Sequence, residues 1–248
     1  MPPDPFASLM TLPGVFEAVD AARAGVDALL KEHVLRRRRT EVRTESLRRS
    51  AWASSVLAGA DLSLDDYGAP FPDTVDGRLG AASLRLSAEL HSLAATWHSA
   101  PLQAMARLHA LVAKNFVAPD ELGRPRNDAE VSARLAQLSD LLAAPTDGPA
   151  VVVAAVVHGE VLALRPFGWG NDLVARAAQR LVLIERGVDP DALTVPEAGL
   201  LELGTAPYAE ALAGYVGATP DGVAKWLVHV SGSIVRGASV GRQICATI

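Results

Sequence analysis

The feature that most constrains the fold is the long apolar stretch from Ala150 to Leu164. Its valines alone favour a β-strand. However, the stretch is longer than an ordinary strand and too short to span a bilayer as a helix. Its length and its alanines therefore predict a buried core helix, and the helical patterns on either side predict a single, nearly all-α domain.

Composition narrows the class of protein. Half of the 248 residues are hydrophobic but only 5% are aromatic, so the core is built mainly from Ala, Leu and Val. The net charge of −5 argues against a protein that binds nucleic acid through bulk electrostatics. The single cysteine, Cys245, excludes an internal disulfide and a cysteine-based zinc cluster, and we expect it to be buried. The first residues lack a signal-peptide pattern, so we expect a cytoplasmic protein without membrane insertion.

Three regions are predicted along the chain. Residues 1–13 carry four prolines and predict an irregular arm. Residues 14–80 predict an N-terminal helical extension, and residues 81–248 predict a helical core with C-terminal helices. Apolar periodicity and helix-end signals predict helices over residues 15–49, 81–98, 101–116, 131–144, 150–164, 171–186, 190–203, 206–215 and 222–236, with a loop over 68–79.

A basic run, Arg36 to Arg39, lies in the predicted N-terminal extension. Such a run is typical of a solvated helix face or helix end, and a contact with phosphate or with an acidic partner is the alternative.

A break in the helical pattern follows the apolar stretch, where residues 165–176 read RPFGWGNDLVAR. This segment resembles the signature of the Fic/Doc (Fido-fold) family, His-Pro-Phe-x-Asp/Glu-Gly-Asn-Gly-Arg-x-x-Arg. The matching positions are Pro166, Phe167, Gly170, Asn171 and Arg176, and the departures are Arg165, Trp169, Asp172 and Leu173.

Three further features support the resemblance. His158 lies seven residues before Arg165, where the family has another histidine. The Leu-His pair at 108–109 and the Gly-x-x-Arg turn at 123–126 are similar to a helix and a turn that precede the family's signature. Residues 54–59, Ser-Ser-Val-Leu-Ala-Gly, resemble the Ser/Thr-x-x-x-Glu-Gly motif of the family's inhibitory helix.

The resemblance implies a loop that holds nucleotide phosphates, and four of its residues have changed. Arg165 replaces the histidine that acts as general base, and a guanidinium stays protonated. Trp169 replaces the carboxylate that holds magnesium and offers no oxygen ligand. Asp172 replaces a glycine and brings a negative charge to the phosphate site, while Leu173 replaces a phosphate-binding arginine. Together these changes predict loss of the family's AMP transfer.

The retained residues allow two interpretations. Gly170 and Asn171 could form the turn and cap the next helix, and Arg176 could pair with Asp172 one helical turn before it. Alternatively, the loop still binds a nucleotide or another anion at a helix N-terminus. The candidates for that binding are Arg165, Gly168, Gly170, Asn171 and Arg176.

Two histidines, the short segment after Arg126 and the residue at position 58 complete the comparison with the family. We expect His158 and His109 to be hydrogen-bonded core residues. Only about four residues separate Arg126 from Val131, so the family's target-aligning β-hairpin flap looks truncated. Ala58 stands where the family's inhibitory helix has glutamate, which fits either lost chemistry or a constitutively open site. The degenerate inhibitory motif comprises Ser54, Ser55, Ala58 and Gly59.

The sequence therefore predicts a Fic-fold pseudoenzyme that acts as a protein-binding or regulatory module. Its partner would contact the surface of Arg165 and Trp169 or the basic N-terminal helix. One alternative is a divergent nucleotidyl- or phosphoryltransferase with Asp172 or His158 as base, which would need ATP and magnesium. Another is a non-catalytic nucleotide or anion sensor. We expect no cofactor for the pseudoenzyme, its protein partner is unknown, and a homodimer is suggested by the resemblance only.

Overall fold

The computed structural model describes residues 4–248 and, within them, contains helices and no β-strand. This confirms the predicted all-α class. The described chain forms α-helices α1 to α11, which span Pro5–Ser8, Val15–Leu30, Leu35–Leu57, Val75–Ser99, Pro101–Ala113, Ala129–Ala143, Ala150–Leu164, Asn171–Glu185, Pro196–Leu203, Thr205–Val216 and Pro220–Thr247.

Helix α7 is the centre of the core, as its apolar sequence predicts. It packs against α8, α11, α10, α2 and α6, and ten of its residues are buried. The indole of Trp226 donates a hydrogen bond of 2.8 Å to the Ala155 carbonyl. Gly159 permits this approach, because a Cβ there would lie 2.8 Å from Trp226 and from Tyr215.

The N-terminal helices are integrated with the rest of the fold. Helix α2 lies along α11, and α3 packs against α4 and α9. The boundary predicted at residue 80 falls inside α4. This helix starts early because Thr74 caps it, with its hydroxyl accepting a 3.0 Å hydrogen bond from the Gly77 amide. The predicted loop over 68–79 is correspondingly too long.

The prediction of an irregular arm is wrong for residues 5–11, and residues 1–3 lie outside the described residues. Asp4 caps α1 by accepting hydrogen bonds from the Phe6 and Ala7 amides, and a 3₁₀ turn follows at Leu9–Thr11. Phe6 is buried and fixes the segment to the core. The hydrogen bond from Thr146 helps to hold the pKa of Asp4 down, at about 2.

Three other helix predictions need correction. The predicted helix over 15–49 is two helices, α2 and α3, with a turn between Leu30 and Leu35. Leu29 before the turn and Leu35 after it pack into the same small apolar cluster. Helix α9 starts at Pro196, not at 190, because the Asp189 carboxylate accepts hydrogen bonds from the following backbone and holds it in a non-helical turn. The last helix continues to Thr247, where Cys245 is buried as predicted.

The basic run lies at the start of α3, and its four side chains are exposed. Arg38 interrupts the helical geometry and pairs with Glu41, while Arg39 pairs with Asp191. This placement agrees with the predicted solvated helix end. No helix in the described part of the chain is both long and apolar enough to cross a membrane.

Candidate functional site

The signature-like residues form a tight loop between α7 and α8. Arg165 ends α7 in the left-handed conformation, with φ 47° and ψ 60°. Gly170 precedes α8 with φ 72°, a conformation that glycine adopts without steric cost. These two residues turn the chain sharply, so that α7 and α8 pack side by side.

Asn171 closes this loop. Its Oδ1 accepts a 2.9 Å hydrogen bond from the Phe167 amide, and its Nδ2 donates one of 2.8 Å to the Phe167 carbonyl. Its predicted role in the turn is confirmed, but its predicted role as a helix cap is wrong, because the side chain is used by the loop. No side chain caps α8.

Phe167 anchors the loop in the core. Its ring stacks on His109 with centroids 4.1 Å apart. His109 is buried, and its Nδ1 accepts a 2.9 Å hydrogen bond from the Gly123 amide. Burial lowers the pKa of His109, so the ring is neutral and structural, which agrees with the expected core histidine.

Arg126 fixes the loop from the other side, a role that the sequence alone did not reveal. Its guanidinium donates hydrogen bonds of 2.9 Å to the Arg165 carbonyl and 3.1 Å to the Leu164 carbonyl. Its amide also donates one of 2.7 Å to Pro166. These bonds satisfy carbonyls at the end of α7. Two residues later Asp128 caps α6, so no strand stands between this turn and the helix.

Arg176 lies on the inner face of the loop and is buried, with Nε and Nη2 bonded to protein groups. It is 2% exposed, and its Nη2 lies 3.0 Å from Asp172 Oδ2, which confirms the predicted intrahelical pair. Its Nε donates a 2.9 Å hydrogen bond to the Ser54 hydroxyl, and Nη2 donates one of 2.9 Å to the Ser54 carbonyl. Of the inhibitory-type motif, Ser54, one turn before Ala58, reaches Arg176.

A second arginine repeats the arrangement one turn further along α8. Arg180 is 1% exposed, and its Nη1 donates hydrogen bonds to Ser50 Oγ at 2.7 Å and to Glu197 at 3.1 Å. Serines and arginines thus recur every four residues on the facing surfaces of α3 and α8. That shared spacing is a signal in the sequence for the contact between α3 and α8.

His158 is buried behind the loop. Its Nδ1 lies 2.5 Å from Gln179 Oε1 and its Nε2 lies 2.8 Å from the Tyr208 hydroxyl. A neutral ring satisfies both contacts when Nδ1 donates and Nε2 accepts. Burial, together with the nearby charge of Arg176, lowers the pKa of His158 to about 3. The expected hydrogen-bonded core histidine is therefore what the structure contains.

An open cavity of about 400 Å³ lies on the outer face of the loop. Arg165 lines it with an exposed side chain that has no hydrogen-bond or ion-pair partner among the described residues. Trp169 is half-buried and stacks on Phe116, with centroids 4.1 Å apart, so it forms a wall without filling the cleft. The remaining wall is formed by Leu162, Gly168, Gly170, Asn171, Asp172 and Leu212.

The structure thus divides the predicted site residues between two faces. Arg165, Gly168 and Trp169 face the cavity, whereas Arg176 and Ser54 are buried together behind the loop. Asp172 lines the cavity while one of its oxygens stays with Arg176. Among residues 4–248, no group of three or more His, Cys, Asp or Glu side chains is placed to hold a metal ion.

Comparisons with known proteins agree on the fold. Neither a protein-family model nor a curated protein matches the sequence. Among solved structures, the chain is similar to a Fic family protein from Desulfovibrio desulfuricans G20, with 18% identity over 91% of this chain and 75% of that chain and a TM-score of 0.71. It is also similar to Fic-1 (residues 134–508, E274G) from C. elegans, with 19% identity, 92% and 73% coverage and a TM-score of 0.66.

A third similar structure is a Fic domain containing signaling protein from Bacteroides thetaiotaomicron VPI-5482. Its identity is 15%, the aligned parts cover 93% of this chain and 98% of that chain, and the TM-score is 0.63. The chain therefore has the Fic fold, which confirms the fold that its signature-like loop implies. At these identities the likeness concerns the fold alone.

Proposed function

We propose that this chain is a Fic-fold pseudoenzyme that acts as a protein-binding or regulatory module. The observation that carries the proposal is the enclosure of Arg176, which Ser54 and Asp172 hold in a buried network. A phosphate group would have to displace Ser54 to bond Nε, and Ser54 or Asp172 to bond Nη2. The arginine that the resemblance assigns to phosphate is thus used by the fold.

The acid–base groups around the loop support the same proposal. Arg165 stands at the position of the family's general base and cannot accept a proton near neutral pH. His158 has a pKa of about 3 and both its nitrogens are engaged inside the core. Asp172 is neutralised by Arg176. Trp169 supplies no oxygen ligand for magnesium. The loop therefore lacks the residue expected to hold the metal, and the arginine expected to hold ATP phosphate, Arg176, is bonded to Ser54 and Asp172.

The outer face of the loop is the proposed interface. Arg165 and the indole of Trp169 border an open cavity, and Leu162 and Leu212 give it apolar walls. Arginine and tryptophan are the residues that most often anchor protein interfaces. A partner that inserts an apolar segment beside a carboxylate would match both the walls and the unpaired guanidinium. A second copy of the chain could be this partner, and a cytoplasmic location stays a prediction.

Titration calorimetry with ATP, ADP and AMP, each with and without magnesium, tests the proposal. We expect no binding at micromolar concentrations, and we expect no labelled AMP to appear on any protein in a transfer assay. Reverting Arg165→His alone should not restore transfer, because Trp169, Asp172 and Leu173 are unchanged. Transfer by the natural chain would overturn the proposal, and transfer by the revertant would show that the other three departures matter less than proposed.

A non-catalytic anion sensor is the second candidate, because α8 has no side-chain cap and Arg165 lies at the same cavity. Unpaired backbone N–H groups and a nearby arginine attract anions. Micromolar ATP binding without magnesium and without turnover would favour the sensor. That binding should be lost in Arg165→Gln but kept in Arg107→Gln, a control that removes an exposed arginine away from the cavity.

A further inference from the structure

A second groove lies between α10 and α11 and shares no lining residue with the cavity at Arg165. Its volume is about 460 Å³, within the range of small-molecule sites. Its walls are mainly apolar. On one side they are Leu203, Pro207 and Ala211, and on the other they include Val228 and Gly232.

One end of this groove carries Arg236, a cation whose ion pair with Glu202 is long and solvent-exposed. The Arg236 side chain is 41% exposed, and its nearest carboxylate, Glu202, is 3.7 Å away, which is too far for a hydrogen bond. Gly232 lies beside this guanidinium, because a Cβ there would be in van der Waals contact with Arg236 Nη1 and with Leu203, each at 3.8 Å. The strong donors of Arg236 are therefore available to a ligand at the groove wall.

His229 adds a second polar group beside Arg236. Its ring lines the groove and stacks on Tyr208, with centroids 5.9 Å apart. Its Nε2 is shielded from water and has no hydrogen-bond partner among residues 4–248. Burial and the neighbouring Arg236 charge lower the pKa of His229, so the ring is neutral near neutral pH and Arg236 supplies the positive charge at this end.

The opposite end of the groove is balanced. Lys225 lies 2.8 Å from Asp221, and Glu210 also lines the groove there. The cation at that end is already neutralised by carboxylates. The groove thus has an anion-attracting end at Arg236, an apolar middle and an end that does not attract anions.

We infer that this groove binds a small amphipathic carboxylate, with its carboxylate on Arg236 and its hydrocarbon chain along Leu203, Pro207 and Val228. Val228 and Arg236 are eight residues apart on α11, which corresponds to about 12 Å of helix. An unbranched chain of about eight carbons spans a similar length. A guanidinium and a carboxylate form a short charge-assisted hydrogen bond, which supplies the specificity for an acid.

Octanoate is the probe that tests this inference, with 1-octanol and octyltrimethylammonium as neutral and cationic controls of equal chain length. NMR titration of the full chain would follow the Arg236 Nε–H, the His229 ring and the methyl groups of Leu203 and Val228. We expect saturable one-to-one binding of octanoate that shifts these signals together. We expect the alcohol to bind at least tenfold more weakly and the ammonium ion not at all.

Two variants and one control locate the site. Arg236→Gln should weaken octanoate binding about tenfold or more, since a hydrogen bond to a charged group is lost. Gly232→Leu should abolish binding by filling the groove, and the helix should keep its fold because a Cβ at Gly232 would make only ordinary van der Waals contacts, at 3.8 Å. Arg242→Gln removes an exposed arginine of the same helix that pairs with Glu32, and it should bind octanoate normally.

Three results would overturn the inference: equal binding of octanoate and octanol, equal weakening by Arg236→Gln and Arg242→Gln, or no saturable octanoate binding. None of these results bears on the loop, because the groove shares no lining residue with the cavity at Arg165. The pseudoenzyme proposal can therefore fail or stand independently.

Discussion

Arg165 and Arg176 are eleven residues apart and carry the same charge, but they lie in opposite environments. Arg176 is 2% exposed and bonded to Ser54 and Asp172. Arg165 is exposed, borders an open cavity and has no side-chain partner in the described chain. The inner face of the loop is thus chemically closed, whereas its outer face is open.

The difference shows which charges serve the fold and which are free for a ligand. Removing a guanidinium from water is costly unless ion pairs and hydrogen bonds replace the lost hydration. Arg176 and Arg180 receive these replacements from serines of α3 and from carboxylates. An exposed guanidinium pays no such cost, so Arg165 needs no partner in the folded chain.

Breaking the ion pair between Arg180 and Glu197, the most buried one behind the loop, should have the largest effect on stability. Glu197→Ala leaves Arg180 buried without its carboxylate, and we expect the free energy of unfolding to fall by about 3–5 kcal/mol. Urea denaturation followed by circular dichroism measures this change. The matched control is Asp221→Asn, which breaks the exposed pair with Lys225 and should change stability little.

The double variant Arg180→Met with Glu197→Met sharpens the same test. It removes both charges, so it should be clearly more stable than Glu197→Ala. Equal destabilisation by the single and the double variant would mean that packing, and not an unpaired charge, determines stability at this position.

The buried histidine behind the loop should make stability depend on pH. The pKa of His158 is about 3 in the folded chain and near 6.5 when unfolded, so the unfolded chain binds the extra proton between these values. Stability is therefore complete above pH 6.5 and falls as the pH drops towards 3. At pH 5 the loss from this one group should be about 2 kcal/mol.

His109 and His229 also have lowered pKa values, so the natural chain alone does not isolate His158. The measurement is the difference in unfolding free energy between pH 7 and pH 5 for the natural chain, for His158→Gln and for His91→Gln, an exposed control. The glutamine at 158 should reduce the pH dependence, whereas the control should not. Identical slopes in all three proteins would contradict the neutral buried state of His158.

Ser54→Ala should destabilise the inner face of the loop less than Glu197→Ala does. It removes the acceptor for Arg176 Nε and leaves the Ser54 carbonyl and Asp172 in place. A buried donor without a partner costs about 1–2 kcal/mol, which thermal or urea unfolding can resolve. Ser92→Ala, at an exposed position on α4, is the control. AMP binding by Ser54→Ala, absent in the natural chain, would show that Ser54 keeps phosphate from Arg176.

Much of the fold could be predicted from sequence because its signals are local. The apolar stretch at 150–164 predicted α7 with its observed ends, and the loop motif predicted the Fic fold. The Asp172–Arg176 pair followed from a spacing of four. Misses occurred where distant groups decide the structure, as in the Asp4 contact with Thr146 that orders the N-terminal arm.

For both faces of the loop, the sequence shows which residues are present but not how they are surrounded. The replacements at Arg165 and Trp169 are visible in the sequence, but their exposure depends on which helices surround the cavity. The contact between Ser54 and Arg176 joins residues 122 positions apart, and only the shared four-residue spacing of serines and arginines indicates that α3 and α8 face each other. Gly168 shows the same limit, since only the folded chain reveals that it borders open space.

The smallest predicted effect is a gain in stability, and it concerns Arg165 on the outer face of the loop. Arg165 holds a left-handed backbone conformation, φ 47°, which costs a non-glycine residue about 1–2 kcal/mol. Arg165→Ala and Arg165→Gly both remove the exposed side chain, but only glycine relieves the backbone. We expect the glycine variant to be more stable than the alanine variant by about 1 kcal/mol, and at least as stable as the natural chain, by urea denaturation. If alanine were equal to glycine or better, the backbone of Arg165 would not be strained. If both variants were strongly destabilised, Arg165 would belong to the structural inner set, and the contrast between the two arginines would be wrong.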